Sequence, residues 1–293
     1  MQVSSCKGKT LNLEPIFNGA QSGQEGFNMK LSDLTVLIRG AGEMASGVAW
    51  RLFQAHFKIV LTEISQPLAV RRGVSFCEAV FEGRKRVEGV EAVLISAENE
   101  VRTIWDSKAI PLLIDPDLNQ SLSLKPDVLI DAILAKKNTG THIHQAPLVI
   151  ALGPGFKAGI DAHLVIETNR GHNLGRILTQ GEAEADTGSP GNIGGYTTER
   201  VLRAPAEGII KTFRKIGEPV EPGETVAEVD GRPIKARIKG ILRGLVREGT
   251  PVPAGLKVGD VDPRGNKAYC DTISEKARAI GGGVLEGIMR YYN

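Results

Sequence analysis

Aromatic residues and cysteines are scarce in this sequence. Its 293 residues include 8 Phe, 4 Tyr and 2 Trp, and the three cysteines, Cys6, Cys77 and Cys270, lie far apart with no C-x-x-C pair. That spacing excludes a disulfide scaffold and a zinc ribbon. No apolar run approaches the roughly 20 residues that a membrane span needs. We therefore expect no membrane partner.

Charge of one sign is not in excess either. Lys and Arg total 36 against 34 Asp and Glu, a net charge of +2, which does not suggest nucleic acid as a partner. Hydrophobic residues at 41% and charged residues at 24% are typical of globular proteins. Residues 1–28 show neither helical nor strand periodicity and no signal-peptide core. We interpret them as a disordered tail or a mis-assigned start with Met29 as the initiator, and expect a cytoplasmic protein.

A nucleotide-type pattern follows this segment. Residues 34–38 form an apolar run typical of a buried strand, and the loop after it reads G-x-G-x-x-A over Gly40, Gly42 and Ala45. An amphipathic helix and a second strand at 57–62 come next, and that strand ends in Glu63. Strand, glycine loop, helix, strand and acid in this order predict a βαβ unit that binds a dinucleotide.

Each of these residues has a physical role in such a unit. Gly40 permits the tight turn, and Gly42 lets the backbone approach a phosphate. Ala45 is small enough for the helix to lie close to the strand. Glu63 can accept hydrogen bonds from a ribose diol. The alternative is that the glycines only tighten a turn in a scaffold that binds nothing.

Further strands alternate with helical segments up to residue 197. Strands are predicted at 110–114, 128–133, 148–152 and 164–167, a shorter edge strand at 74–80, and a helix at 97–107. The predicted class of this domain, 29–197, is α/β with a Rossmann-like, mostly parallel sheet.

Ligands of parallel sheets bind beyond the carboxyl ends of the strands. Asp131, Gly153, Gly155, Asn169 and Arg170 follow predicted strands there. Together with the glycine loop, they suit a small phosphorylated or carboxylated ligand. Solvated loop ends on the rim of the sheet are the alternative.

The histidine pair of this region resembles a chelate, but its context does not support one. His142 and His144 flank one residue, and a zinc or iron site needs three or four ligands. No further ligand stands at a motif spacing, so we expect loop histidines and no metal site. No nucleophile–base set can be assembled from the spacing, and the catalytic residues are unknown.

The chain after residue 197 carries an internal repeat. Nine identities recur at an offset of 32 residues between 204–229 and 236–261, all at turn or apolar positions. The segment 198–265 resembles the all-β barrel-sandwich hybrid of biotinyl and lipoyl domains. The hairpin between the halves, 229–233, has no lysine at its tip, so we expect no biotin or lipoate. Residues 266–293 predict a terminal helix that packs back on the first domain, with a close backbone crossing at its glycine triplet, 281–283.

Several longer segments carry a family resemblance over residues 29–293. They read LIRGAGEMASGVAWRL, TEISQPLAVRR, VSFCEAVFEG, APLVIALGPGF, LVIETNRGHNLGRI and SEKARAIGGGVLEGI. The chain resembles the YqeB-like family, whose members are called selenium-dependent molybdenum hydroxylase system proteins. The resemblance implies an accessory role in maturing molybdenum hydroxylases, like that of the xanthine dehydrogenase accessory factors. It supplies no catalytic residue.

Three functions therefore stay open. The first is a maturation factor whose crevice binds a dinucleotide or the phosphorylated molybdopterin cofactor, with the apo-hydroxylase or other maturation proteins as partners. The second is an NAD-dependent oxidoreductase that uses Glu63 for the ribose, although no proton donor can be named. The third is an adaptor that binds no small molecule.

Overall fold

A computed structural model describes residues 30–293 of the chain. The prediction for residues 1–28 lies outside the described residues. The predicted boundaries at 197 and 265 stay predictions. Among residues 30–293, no helix combines the length and the apolar character required to cross a bilayer.

The first part of the chain forms ten strands and three helices. The strands are β1 (Thr35–Arg39), β2 (Lys58–Glu63), β3 (Arg84–Val87), β4 (Val90–Ile95), β5 (Ile110–Ile114), β6 (Val128–Asp131), β7 (Leu148–Leu152), β8 (Lys157–Ala158), β9 (Leu164–Ile166) and β10 (Ile177–Leu178). The helices are α1 (Glu43–Gln54), α2 (Ala79–Glu82) and α3 (Val101–Asp106). The predicted strands at 110–114 and 148–152 are confirmed to the residue.

Nine of these strands form one large sheet, in the order β10-β9-β7-β6-β1-β2-β5-β4-β3. The inner pairs from β9 to β4 are parallel, whereas β10 and β3 run antiparallel to their neighbours at the two edges. The sheet is therefore mixed. The predicted fold class, a Rossmann-like mostly parallel sheet followed by a barrel-sandwich hybrid, was wrong.

The crossover segments explain much of the difference. Between β5 and β7, over residues 115–147, the chain forms two short 3-10 helices, Ser121–Leu124 and Ile143–Gln145, and otherwise loops around the short strand β6. Prolines at 116, 126 and 147 remove backbone donors and disfavour a continuing helix. These strands are thus connected without the α-helices that the predicted fold requires.

The predicted edge strand at 74–80 was also wrong. This stretch forms 3-10 turns, Arg72–Val74 and Phe76–Glu78, that lead into α2. Phe76 and Cys77 are both buried, so consecutive side chains face the core, and the alternation of a half-buried strand does not apply.

A fourth helix, α4 (Glu275–Tyr292), packs beside α1 on one face of the large sheet. A Cβ built on Gly47 of α1 would lie 2.6 Å from the Cβ of Ala277, which shows how closely the two helices cross. Val48 and Ile280 are fully buried in the same cluster. The helix at the far end of the sequence therefore completes the core of the first part.

The chain between the large sheet and α4 forms smaller sheets. Their strands are β11 (Gly181–Glu182), which pairs with β8, and β12 (Val201–Arg203), β13 (Gly208–Thr212), β14 (Pro219–Val220), β15 (Thr225–Val229), β16 (Arg232–Lys235), β17 (Gly240–Leu245), β18 (Pro251–Val252) and β19 (Lys257–Asp262). The last eight form two four-stranded antiparallel sheets, β12-β19-β17-β14 and β16-β15-β13-β18, around a separate apolar core. This region therefore consists of two antiparallel sheets, and the predicted barrel-sandwich hybrid was wrong.

The offset of 32 residues relates the two sheets strand by strand. β13, β14 and β15 correspond to β17, β18 and β19, and β12 corresponds to β16. Corresponding strands always lie in different sheets. The sequence repeat is thus expressed as two equivalent sheets.

Candidate functional site

The glycine loop connects β1 to α1 at the carboxyl edge of the large sheet. Gly40 has φ +99°, which a side chain would strain, and a Cβ there would lie 3.2 Å from the Ala132 carbonyl oxygen. A Cβ on Gly42 would meet no atom within 4 Å. Gly42 is also the N-cap of α1, and no side chain caps the helix. The positive end of α1 is therefore open at Gly42, while the buried Ala45 packs the helix on the sheet.

Glu63 at the end of β2 is bonded to this loop. Its two oxygens accept the backbone N–H groups of Ala41 and Ile64, each at 2.9 Å. Burial raises the pKa of the Glu63 carboxyl, and these two hydrogen bonds oppose the increase. The carboxylate thus fastens the glycine loop to β2, which is a different task from the predicted ribose contact.

Asp131 at the end of β6 belongs to a buried ion pair. Its carboxylate lies 3.5 Å from the Arg39 guanidinium and accepts a 2.6 Å hydrogen bond from the Thr141 hydroxyl. Arg39 also donates to the carbonyl oxygens of Pro116 and Thr139. Asp131 therefore helps to fix the loops above β1 and β6, and both members of the pair are buried.

The glycines after β7 serve close contact between loops. A Cβ on Gly153 would lie 2.5 Å from the Thr168 hydroxyl oxygen, and one on Gly155 would lie 2.5 Å from the Cα of Lys137. Both glycines have positive φ, as the predicted turn requires. Their concave side is filled by neighbouring chain, so these two residues do not form an open anion nest.

Asn169 and Arg170 follow β9. The Asn169 side chain donates to Glu184 at 2.6 Å, and its backbone N–H donates to Glu167 at 2.7 Å. Arg170 forms an ion pair with Glu275 at the start of α4. Of the predicted site residues, Arg170 is the one whose charge lies in a larger basic group that the sequence did not reveal.

We call this group the interface cluster, because it lies between the first part of the chain and the two antiparallel sheets. Its members are basic side chains from six separate segments: Arg170, Arg200, Arg243, Lys257, Arg264 and Lys276. Each is a single basic residue in the sequence, without a motif. A weak signal was present in Asp260-x-Asp262, two acids at strand spacing beside the buried Val258 and Val261.

Two fully buried aspartates hold most of the cluster. Asp260 accepts from Arg243 at 2.8 Å and also pairs with Arg200, and Lys257 lies 3.9 Å away. Asp262 lies 3.1 Å from the Arg243 guanidinium and accepts from Arg264 at 2.7 Å. Four cations therefore share two carboxylates, which leaves an excess of positive charge.

Burial and the neighbouring cations lower pKa values in the cluster, whereas the hydrogen bond to Asp262 raises the pKa of Arg264. Burial lowers the pKa of Arg170, and Arg200 and Arg243 lower it further by repulsion. Burial likewise lowers the pKa of Lys276, with Arg170 as the next cause. A negatively charged ligand would relieve this repulsion.

Glu43 connects the cluster to the open end of α1. This first residue of the helix attracts Arg170, Lys257 and Lys276, and it is itself bonded to Arg71 at 2.7 Å. Burial lowers the pKa of Lys257, yet 41% of its side chain stays accessible. The interface cluster and the start of α1 thus lie close together, with Glu43 between them.

The two candidate histidines lie elsewhere. His142 and His144 precede β7, at the amino edge of the sheet, with ring centroids 6.5 Å apart. Within residues 30–293, no group of three or more His, Cys, Asp or Glu side chains is arranged to hold a metal ion.

Comparison with known proteins supplies a relative. Over 254 residues, 87% of this chain, the sequence is 50% identical to a protein of Escherichia coli (strain K12) named "Uncharacterized protein YqeB". This likeness supports a YqeB-like family. The chain spans 47% of that relative's own length, and the relative's name states no activity. No protein-family model matches the chain.

Some solved structures are also similar in part. They include the apo ectoine utilization protein EutE (DoeB) from Ruegeria pomeroyi, with 12% identity, 78% of this chain and 86% of that chain covered, and a TM-score of 0.23. An aspartoacylase family protein from Mesorhizobium loti has 11% identity, covers 78% and 85%, and has a TM-score of 0.26. Both TM-scores lie far below 0.5.

Proposed function

We propose that the chain is an accessory protein in the maturation of molybdenum hydroxylases, the selenium-dependent ones included. In this role it binds a phosphorylated ligand, a nucleotide or the molybdopterin cofactor, between the glycine loop and the interface cluster. Its partners are the apo-hydroxylase or other maturation proteins, and the place of action is the cytoplasm. The observation that carries the proposal is the excess of positive charge beside the uncapped start of α1.

A phosphorylated ligand suits the interface cluster and the start of α1 better than a neutral ligand does. Guanidinium and ammonium groups form charge-assisted hydrogen bonds with phosphate oxygens, and a helix N-terminus favours an anion. Glu43, the acid of the first turn of α1, is already engaged by Arg71 and by the Ser274 hydroxyl at 2.9 Å. Its charge is therefore partly neutralised before a ligand arrives.

Calorimetric titration with pyrophosphate tests the ligand class. Lys257→Gln and Lys276→Gln should each weaken binding about tenfold, the usual value of a lost charge-assisted hydrogen bond. Lys211→Gln is the matched control, because this lysine lies on β13 with 63% of its side chain exposed and pairs with Glu228. Equal affinities for all four proteins, or no pyrophosphate binding by the unaltered chain, would contradict the proposed site.

A reconstitution assay tests the biological role separately. The full chain should speed the recovery of activity when an apo-hydroxylase is mixed with molybdopterin cofactor, and Lys276→Gln should reduce that effect. Pyrophosphate binding without any acceleration would leave the anion site intact and reject the maturation role.

The NAD-dependent oxidoreductase has no comparable support. Both oxygens of Glu63 hold backbone N–H groups of the chain, and Asp131 is paired with Arg39. No contact among the described residues favours hydride transfer, so we make no second proposal.

A further inference from the structure

A groove opens at the amino edge of the large sheet, on the side opposite the glycine loop. Its volume is about 710 Å³, within the range of small-molecule sites. Its lining comes from the segments 122–126 and 142–147 and from His163. This groove takes no part in the function proposed above.

His163 is held in one protonation state by the sheet. Its Nδ1 accepts the backbone N–H of Val149, on β7, at 2.9 Å. A ring nitrogen that accepts a hydrogen bond carries no proton, so the neutral ring carries its proton on Nε2. Burial lowers the pKa of His163, and His144 lowers it further. The imidazole therefore stays neutral and offers Nε2–H as a donor in the groove.

The terminal helix fixes the position of this ring. The Tyr291 ring meets the His163 ring edge-on, with centroids 6.1 Å apart. The Tyr291 hydroxyl donates to the Pro147 carbonyl oxygen at 2.8 Å, which ties α4 to the wall of the groove. The donor is thus held by β7 from one side and by α4 from the other.

The side chains around His163 favour an anion. Lys125, His142 and His144 line the groove with it, and no carboxylate of residues 30–293 does. Asp127, which follows the lining residue Pro126 in the chain, accepts the backbone N–H of Thr35 at 2.7 Å. A ligand here meets hydrogen-bond donors and positive charge without a competing negative group in the lining.

The remaining walls are apolar. Leu122, Ile143, Ala146 and the two prolines supply hydrocarbon surface beside the polar groups. A site with mostly apolar walls and a few fixed donors suits a ligand with an apolar body and one acceptor head. We propose that this groove binds an organic carboxylate, with His163 Nε2–H and the Lys125 ammonium on the carboxylate and the apolar body against Leu122 and Ile143.

Titration with benzoate, followed by the nitrogen resonances of the histidine rings, tests the proposal. The His163 ring should show the Nε2–H tautomer before benzoate is added, and its signals should shift on binding. Benzamide has the same shape without the charge and should bind about tenfold more weakly, since a hydrogen bond to an ion is stronger than a neutral one. Equal binding of the two probes, no binding of benzoate, or the opposite tautomer would overturn the proposal.

Two variants locate the binding site. His163→Asn removes the Nε2 donor, while its Oδ1 can replace Nδ1 as the acceptor for Val149, so the fold should be kept. It and Lys125→Gln should each weaken benzoate binding about tenfold. His172→Gln is the control, because His172 is an exposed residue that follows β9, at the carboxyl ends of the strands and away from the groove. A loss with His172→Gln, or full affinity in both groove variants, would place benzoate elsewhere and reject the proposal.

Discussion

The glycine triplet of α4 offers a sharp test of how the helix packs. A Cβ on Gly283 would lie 2.2 Å from the carbonyl oxygen of Gly175, a backbone atom that cannot rotate away. A Cβ on the preceding residue, Gly282, would meet no atom within 4 Å. Gly283→Ala should therefore disturb the contact with the loop after β9, and Gly282→Ala should not.

The two substitutions share one favourable contribution. Alanine is about 1 kcal/mol better than glycine in a helix interior, and this gain applies equally at both positions. The difference in unfolding free energy between the two variants thus isolates the steric cost of the added methyl group. For overpacking against fixed atoms this cost is about 1–3 kcal/mol. Gly282→Ala should be more stable than the unaltered chain, and Gly283→Ala less stable than Gly282→Ala by that amount.

Urea unfolding followed by circular dichroism measures both free energies. The slopes of the transitions should agree, so that the midpoints report stability directly. Equal midpoints for the two variants would refute the reasoning, because they would show that the backbone of Gly175 can move away without cost. A Gly282→Ala variant less stable than the unaltered chain would refute the assumption that this face of α4 is open.

Three other predictions follow from burial and from backbone geometry. Burial alone would raise the pKa of Asp262, but hydrogen bonds from Arg264 hold this pKa below its ordinary value. The ionised carboxylate therefore stabilises the fold above the usual aspartate pKa, and this stabilisation is lost as the pH falls through the lowered pKa. Asp262→Asn should flatten the acid limb of a curve of unfolding free energy against pH. Burial raises the pKa of the Cys77 and Cys270 thiols, so peptide mapping after native treatment with iodoacetamide at neutral pH should find both unmodified, and rapid labelling would contradict their burial. Gly155 has φ +99°, and a Cβ there would lie 2.5 Å from the Lys137 backbone, so Gly155→Ala should cost about 1–3 kcal/mol in thermal unfolding, and an unchanged midpoint would contradict it.

The strands were largely predictable because each is a short, continuous apolar run. Predicted strands at 110–114 and 148–152 coincide with β5 and β7, and 128–133 overlaps β6. Burial of nearly all their residues on both faces of the sheet leaves such runs without polar interruption. The close crossing predicted at the glycine triplet is confirmed at Gly281 and Gly283, where a Cβ would meet backbone oxygens.

The candidate site was less predictable because it depends on residues distant in sequence. Arg170 and Lys276 are separated by more than a hundred positions, and no spacing rule connects them. The partners of Glu63 and Asp131 were missed for a related reason: a polar residue at a strand end can face a ligand or fasten a loop, and its sequence position is the same in both cases. The antiparallel strands at the two edges of the large sheet were likewise not predictable, because a strand as short as β10 has no recognisable sequence pattern.

The exchange of strands between the two C-terminal sheets constrains how this region can be divided. Each sheet takes two strands from residues 201–229 and two from residues 232–262. A peptide with only one copy of the repeat would leave both sheets half built and would expose open edges. Two such peptides, however, could complete each other as a twofold dimer by exchanging strands. The hairpin at 230–231 joins the two copies of the repeat covalently. Their association is therefore intramolecular, whereas separate copies would associate only at sufficient concentration.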